Sequence, residues 1–274
     1  MYLALLPGSI VVVALDVVPA WGEWMGAALL VAQGLAVICW MLGAYGPRGA
    51  LAVAGALLLA WAVEHVGETT GVPFGRYRYT DVLQPQIAGV VPVPITLAWL
   101  MSAFGSWQLA HVAIGGGAGT RHGDPRVIAL TGLLIVALDL QIETVATSIN
   151  GYWTWIDAGP YYGVPVANFV AWGVVGMLMA LIVSLALGGG RSATGGAGTA
   201  GGALQPPVRR LSLVVGYIPA LLYILSSAMF TAVNFARGYP LAGLVGAATL
   251  TAIAAFAFQL VSRGGGARSA EAAR

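Results

Sequence analysis

Apolar runs about as long as a bilayer core is thick fill most of this chain, with short polar or Gly/Pro-rich connections between them. A spanning helix needs roughly 20 mostly apolar residues. Eight segments qualify: 2–18, 24–45, 48–66, 91–114, 127–148, 164–187, 211–234 and 241–262. Backbone groups cannot be left open in hydrocarbon, so these segments are predicted to be helices. No period-2 alternation is sustained, which argues against strands. The predicted fold class is all-α: a polytopic membrane helix bundle of about eight transmembrane helices. It forms one domain over 1–262, followed by a polar tail at 263–274. The connection 188–207, GGGRSATGGAGTAGGALQPP, reads as a flexible linker inside that domain. It lacks the Lys-Ser/Thr ending and the preceding strand of a phosphate loop.

Charge sharpens this layout. Of 274 residues 59% are hydrophobic and 8% charged, against roughly a quarter charged in a soluble domain. All 12 basic residues are Arg. With eight spans, nine of them (Arg48, Arg121, Arg126, Arg191, Arg209, Arg210, Arg263, Arg268 and Arg274) fall on one side. Arg76, Arg78 and Arg237 fall on the other. The positive-inside rule makes the Arg-rich side cytoplasmic, with both termini inside, in the cell membrane. The first segment lacks a basic leader and a small-residue cleavage site, so it reads as a retained helix. A net charge of +2 gives no reason to expect a nucleic-acid partner. The lone Cys39 excludes a disulfide framework and reads as a buried small hydrophobe.

Polar residues within the spans are the candidates for chemistry, because burying them in lipid is expensive. Glu64, His65 and Glu68 close the third segment. Asp139 and Glu143 lie in the second half of the fifth, Asn168 opens the sixth and Asn234 closes the seventh. All fall toward the Arg-poor face. Glu64 and Glu68 are four apart and share a helix face, and Asp139 and Glu143 repeat the spacing. Two stacked carboxylate pairs predict a lined polar cavity. A carboxyl group in a dry site beside a like charge keeps its proton to higher pH and can act as a general acid. The alternative is that these carboxylates pair with Arg76, Arg78 or Arg237 and pin loops. No metal site is predicted: His65 stands alone, without the Glu-x-x-His pairs of helix-bundle metal centres. The segment 151–165, GYWTWIDAGPYYGVP, concentrates aromatic rings. Trp153 and Trp155 suit an interfacial belt, and such rings also suit a long polyene or a developing carbocation.

Four stretches resemble the CruF-type carotenoid biosynthesis proteins, which are membrane carotenoid hydratases. They are EHVGETTGVPFGRYRYTD (64–81), PVPITLAW (92–99), LDLQIE (138–143) and GYWTW…GPYYGVPVANFVAW (151–172). The resemblance covers about residues 61–172. It implies addition of water to a terminal isoprenoid double bond of a carotenoid, with no redox cofactor. The expected partners are a carotenoid polyene, water and the lipid bilayer, with other carotenoid biosynthesis enzymes as candidate associates. The catalytic candidates are Asp139 or Glu143 as proton donor and Glu64 or Glu68 to orient water; the sequence does not decide which. His65, Tyr77, Trp153, Tyr161, Tyr162 and Asn168 are the pocket-lining candidates. A membrane carotenoid cyclase shares the protonation step, and a proton-coupled transporter would also use buried carboxylates; both stay open.

Overall fold

The computed structural model describes residues 2–115, 123–188 and 213–272. The chain is an all-α membrane helix bundle. Its helices are α1 (Tyr2–Ala14), α2 (Trp24–Thr70), α3 (Val93–Gly115), α4 (Pro125–Glu143), α5 (Val166–Gly188), the short α6 (Leu213–Gly216), α7 (Ile218–Ala236) and α8 (Pro240–Ala272). Among the described residues, five helices are long and apolar enough to cross a membrane: Trp24–Thr70, Pro125–Ile149, Val166–Gly188, Ile218–Ala236 and Pro240–Leu260.

That count differs from eight for physical reasons. Two expected segments run together in α2, which is broken at Gly46 by φ 55 and ψ −132. Gly34 packs on Leu97 of α3, while Glu64 accepts a hydrogen bond from Trp99 of the same helix. A straight helix would hold residues 34 and 64 about 45 Å apart. The chain therefore doubles back at Gly46, and α2 is a hairpin of two antiparallel halves. The helix of α1 is only 13 residues long. α3 falls short on apolarity because it carries Thr96, Ser102, Ser106, Gln108 and His111. All five are buried within protein. α3 is the central helix, packed against α2, α4, α5 and α7.

One correction concerns a single residue, and one helix runs on past its span. Cys39 is exposed on the outside of α2, not buried. α8 continues as helix to Ala272, through most of the segment expected as a polar tail. The linker at 188–207 lies, except for Gly188, outside the described residues.

Short strands cap one end of the bundle. β1 (Tyr77–Tyr79) pairs antiparallel with β4 (Trp153–Trp155), in the register Tyr77 to Trp155, Arg78 to Thr154 and Tyr79 to Trp153. β2 (Gln86–Ile87) pairs with β3 (Val91–Pro92). Side chains alternate across a strand, so Tyr77, Tyr79, Trp153 and Trp155 face the bundle while Arg78 and Thr154 face out. Between α4 and β4 the helix widens into a π turn, Thr144–Ile149.

Candidate active site

The strand cap sits over the helix ends that carry the carboxylates, and beneath it lies a cavity of about 370 Å³. Glu64 reaches it from the second half of α2 and is 4% exposed. Its Oε2 accepts from the hydroxyls of Tyr77 and Tyr79, each at 2.6 Å, and its Oε1 accepts from the Trp99 indole at 2.7 Å. Burial and the neighbouring Glu64 charge push both phenols above their usual range, so they remain donors.

Glu143 enters from the end of α4. Its Oε2 accepts from the Trp155 indole at 3.0 Å, and its Oε1 from Asn168 Nδ2 at 2.9 Å. The same Asn168 nitrogen donates to Asp139 Oδ2 at 2.9 Å. The two carboxyl oxygens share one nitrogen, so they lie at most twice 2.9 Å apart. One turn of α4 separates their residues, as the spacing of four requires. Asp139 is fully buried behind this bridge and does not line the cavity; its Oδ1 has no partner among the described residues.

The cationic side chains near this end have carboxylate partners of their own, and one such pair, Arg237 with Asp16, itself lines the cavity. Arg76 pairs with Asp157 at 2.7 Å, Arg237 with Asp16 at 2.6 Å, and Arg78 approaches Glu68 at 4.0 Å. Of the four candidate carboxylates, only Glu68 meets an Arg, and only at the limit of contact. No described Arg pairs with Glu64, Asp139 or Glu143. Among the described residues no three His, Cys, Asp or Glu side chains converge to hold a metal ion.

Of the residues expected from the sequence, Glu64, Glu143, Tyr77, Trp153 and Asn168 line the cavity, with Asp139 directly behind. Glu68, His65, Tyr161 and Tyr162 do not line it. His65 lies against the Trp61 ring. Tyr161 donates to the Leu140 carbonyl at 2.6 Å, and Tyr162 accepts from the Leu241 amide at 3.2 Å. Further walls are Tyr79, Trp99, Trp155, Phe74 and Trp172. Trp99 and Trp172 stack with centroids 3.9 Å apart. Each of these five stands inside one of the quoted motifs, and the period-2 alternation of YRY and WTW was the signal for Tyr79 and Trp155.

The arrangement offers Glu64 and Glu143, from different helices, to one aromatic-walled space that Asp16, Glu23 and Arg237 also line. A model of the family described as carotenoid biosynthesis protein matches residues 25–253. The bisanhydrobacterioruberin hydratase of Haloarcula japonica is 29% identical over 136 residues. That alignment covers 49% of this chain and 44% of the relative, so the chain spans less than half of that protein's length. No solved structure matches the chain.

Proposed function

The chain belongs to the carotenoid biosynthesis protein family, and from that premise we propose that it adds water across a terminal isoprenoid double bond of an acyclic or monocyclic carotenoid. The observation that carries this reading is the convergence of Glu143 and Glu64 on one aromatic-walled cavity, with no described Arg paired to either. The similarity to a protein named bisanhydrobacterioruberin hydratase supports hydration over other alkene chemistry.

In this reading Glu143 delivers the proton to the less substituted carbon of the double bond. A tertiary carbocation forms on the neighbouring carbon. Asp139 does not reach the cavity; through Asn168 it positions Glu143. Glu64 carries three hydrogen bonds in which it is the acceptor. That leaves it suited to face the developing positive charge and to take the proton that water releases. The stacked rings of Trp99 and Trp172 at the cavity wall add a cation-tolerant lining. A cavity of about 370 Å³ sits at the small end of ligand pockets, so it receives one end of the polyene and the remainder lies along the bundle in lipid. The proposed setting is the cell membrane, with about eight spans counting α1, both halves of α2 and α3, and with both termini cytoplasmic.

Expression in lycopene-accumulating cells, followed by mass analysis of the pigments, tests this. The expected product carries the mass of one or two added waters. A product of unchanged mass with a ring would identify a cyclase instead. Pigments left unchanged alongside transport of a solute would identify a transporter.

A further inference from the structure

Gln33 lies within an otherwise apolar stretch of α2, LLVAQGLAVICW, and is 3% exposed. A polar side chain at that depth is costly in a membrane protein. Its amide nitrogen donates to Ser226 Oγ on α7 at 2.9 Å. That bond commits the nitrogen end to α7 and leaves the carbonyl end over. Oε1 of Gln33 has no hydrogen-bond partner among the described residues. A buried acceptor without a donor is unfavourable unless something else fills the role. Gln33 is also a wall of the cavity that holds Glu64 and Glu143. The Ser226 tie alone would account for a structural Gln, but not for an acceptor left unmet beside a cavity.

We propose that Gln33 holds the water that captures the carbocation, and so decides whether the cation ends as an alcohol. This rests on the hydration reading above. The capturing water must present a lone pair to the tertiary carbon, with its hydrogens turned away. Oε1 is closed off from the cavity in this structure, and a small shift of the Gln33 amide brings it to the water, where it accepts one of those hydrogens and leaves the other for a carboxylate. The steps balance without an oxidant. A carboxyl proton and the alkene π pair form a new C–H bond, leaving the cation. The water oxygen forms the C–O bond, and one water proton passes to a carboxylate. The sum is alkene plus water giving a tertiary alcohol. When no water is held, the cation instead returns a proton from a neighbouring carbon. The product is then the original alkene or a double-bond isomer, with no water added.

The test uses membranes containing the full chain, supplied with lycopene in deuterated water. Wild type, Gln33→Leu and Ser226→Ala are compared at matched protein levels. Two quantities are read: the fraction of carotenoid that gains water, and deuterium on carbon in the non-hydrated carotene. Protonation and return of a proton leaves that deuterium behind. For Gln33→Leu the hydrated fraction should fall about tenfold, the worth of one ordinary hydrogen bond. Deuterium should still enter the carotene, because the acid is untouched. Ser226→Ala keeps Gln33 but frees its amide, and should shift the partition in the same direction by less. It also serves if Gln33→Leu fails to accumulate. An unchanged partition in the variants, with wild type hydrating normally, overturns the role of Gln33 alone. Loss of hydration and deuterium together in an inserted Gln33→Leu protein overturns it too, since Gln33 would then serve protonation or binding. Absence of hydration in wild type would instead remove the hydration reading itself.

Discussion

The division of labour between the two carboxylate pairs turns on which oxygens each one offers. Glu143 faces the cavity and Asp139 does not. Glu143→Gln should therefore lower the hydration rate about 10²–10⁴-fold, the usual worth of a positioned general acid. Asp139→Asn keeps the shape and one hydrogen-bonding oxygen, and should cost less. Rates measured per inserted protein in the lycopene assay separate the two; equal losses would place both groups in contact with substrate. Glu64 depends on three donors from three different positions in the chain. Removing one of them with Tyr79→Phe keeps the ring and deletes a hydrogen bond to a charged group. A loss of about 1.5–3 kcal/mol of transition-state stabilisation is expected, read as a fall in kcat/KM. Glu68, four residues on, is held near Arg78 at 4.0 Å with that Arg well exposed. Glu68 is half-buried but does not line the cavity, and a contact this long to an exposed Arg is worth little, so Glu68→Gln should leave hydration within about twofold of wild type.

Two irregular elements carry the site where regular helices would not. The π turn Thr144–Ile149 begins one residue after Glu143. Widening a helix frees carbonyls from their usual partners. Here the Leu140 carbonyl accepts from the Tyr161 hydroxyl and the Gln141 carbonyl accepts from Asn234 Nδ2. The Thr144 hydroxyl closes the arrangement on Asn234 Oδ1. Tyr161 is thus a positioning residue for the turn that follows Glu143. Tyr161→Phe should lower kcat with little change in KM, because the wall of the cavity is untouched. The second irregular element is the strand cap, tied at its edge by Arg76 and Asp157. The guanidinium holds the Asp157 carboxyl below its ordinary range. A carboxylate with a lowered folded-state pKa contributes fully above its unfolded value and loses that contribution as pH falls through the folded one. Asp157→Asn should therefore make the cap more open to proteolysis at neutral pH. The difference from wild type should vanish only at strongly acidic pH.

The whole bundle depends on the reversal inside α2. At Gly46 φ is 55 and ψ −132, a region that residues with a Cβ rarely enter, yet nothing lies within 4 Å of where a Cβ would stand. Gly46→Ala therefore tests backbone strain alone, expected at about 1–3 kcal/mol, as a lower unfolding temperature in lipid or detergent. The reversal also brings Gly34 so close to α3 that a Cβ would stand 2.9 Å from the Leu97 carbonyl oxygen. Backbone cannot retreat as a flexible side chain can, so this contact fixes how near the first half of α2 approaches α3. Gln33 stands beside it and is carried into the cavity wall by the same approach.

The sequence by itself determined the class of molecule and named several of the side chains that the fold brings to the cavity. Apolar length alone forces helices in lipid, and four-residue spacing alone places Asp139 and Glu143 on one face. The motifs already contained the aromatic residues Phe74, Tyr77, Tyr79, Trp99, Trp153, Trp155 and Trp172 of the cavity wall, but the pairing of YRY with WTW as strands, which puts every second ring on one side, came only with the fold. Tertiary structure decided which of these groups meet. That Glu64 belongs with Tyr77, Tyr79 and Trp99, and Glu68 with Arg78, depends on where a distant strand and helix cross, which no local pattern records. The same holds for Asp139 standing behind Glu143 and for Tyr161 turning away to a backbone carbonyl. Gln33 was hidden for the same reason. In sequence it is one polar residue in an apolar run, and only the fold shows that α7 takes its nitrogen and leaves its oxygen unpartnered beside the cavity.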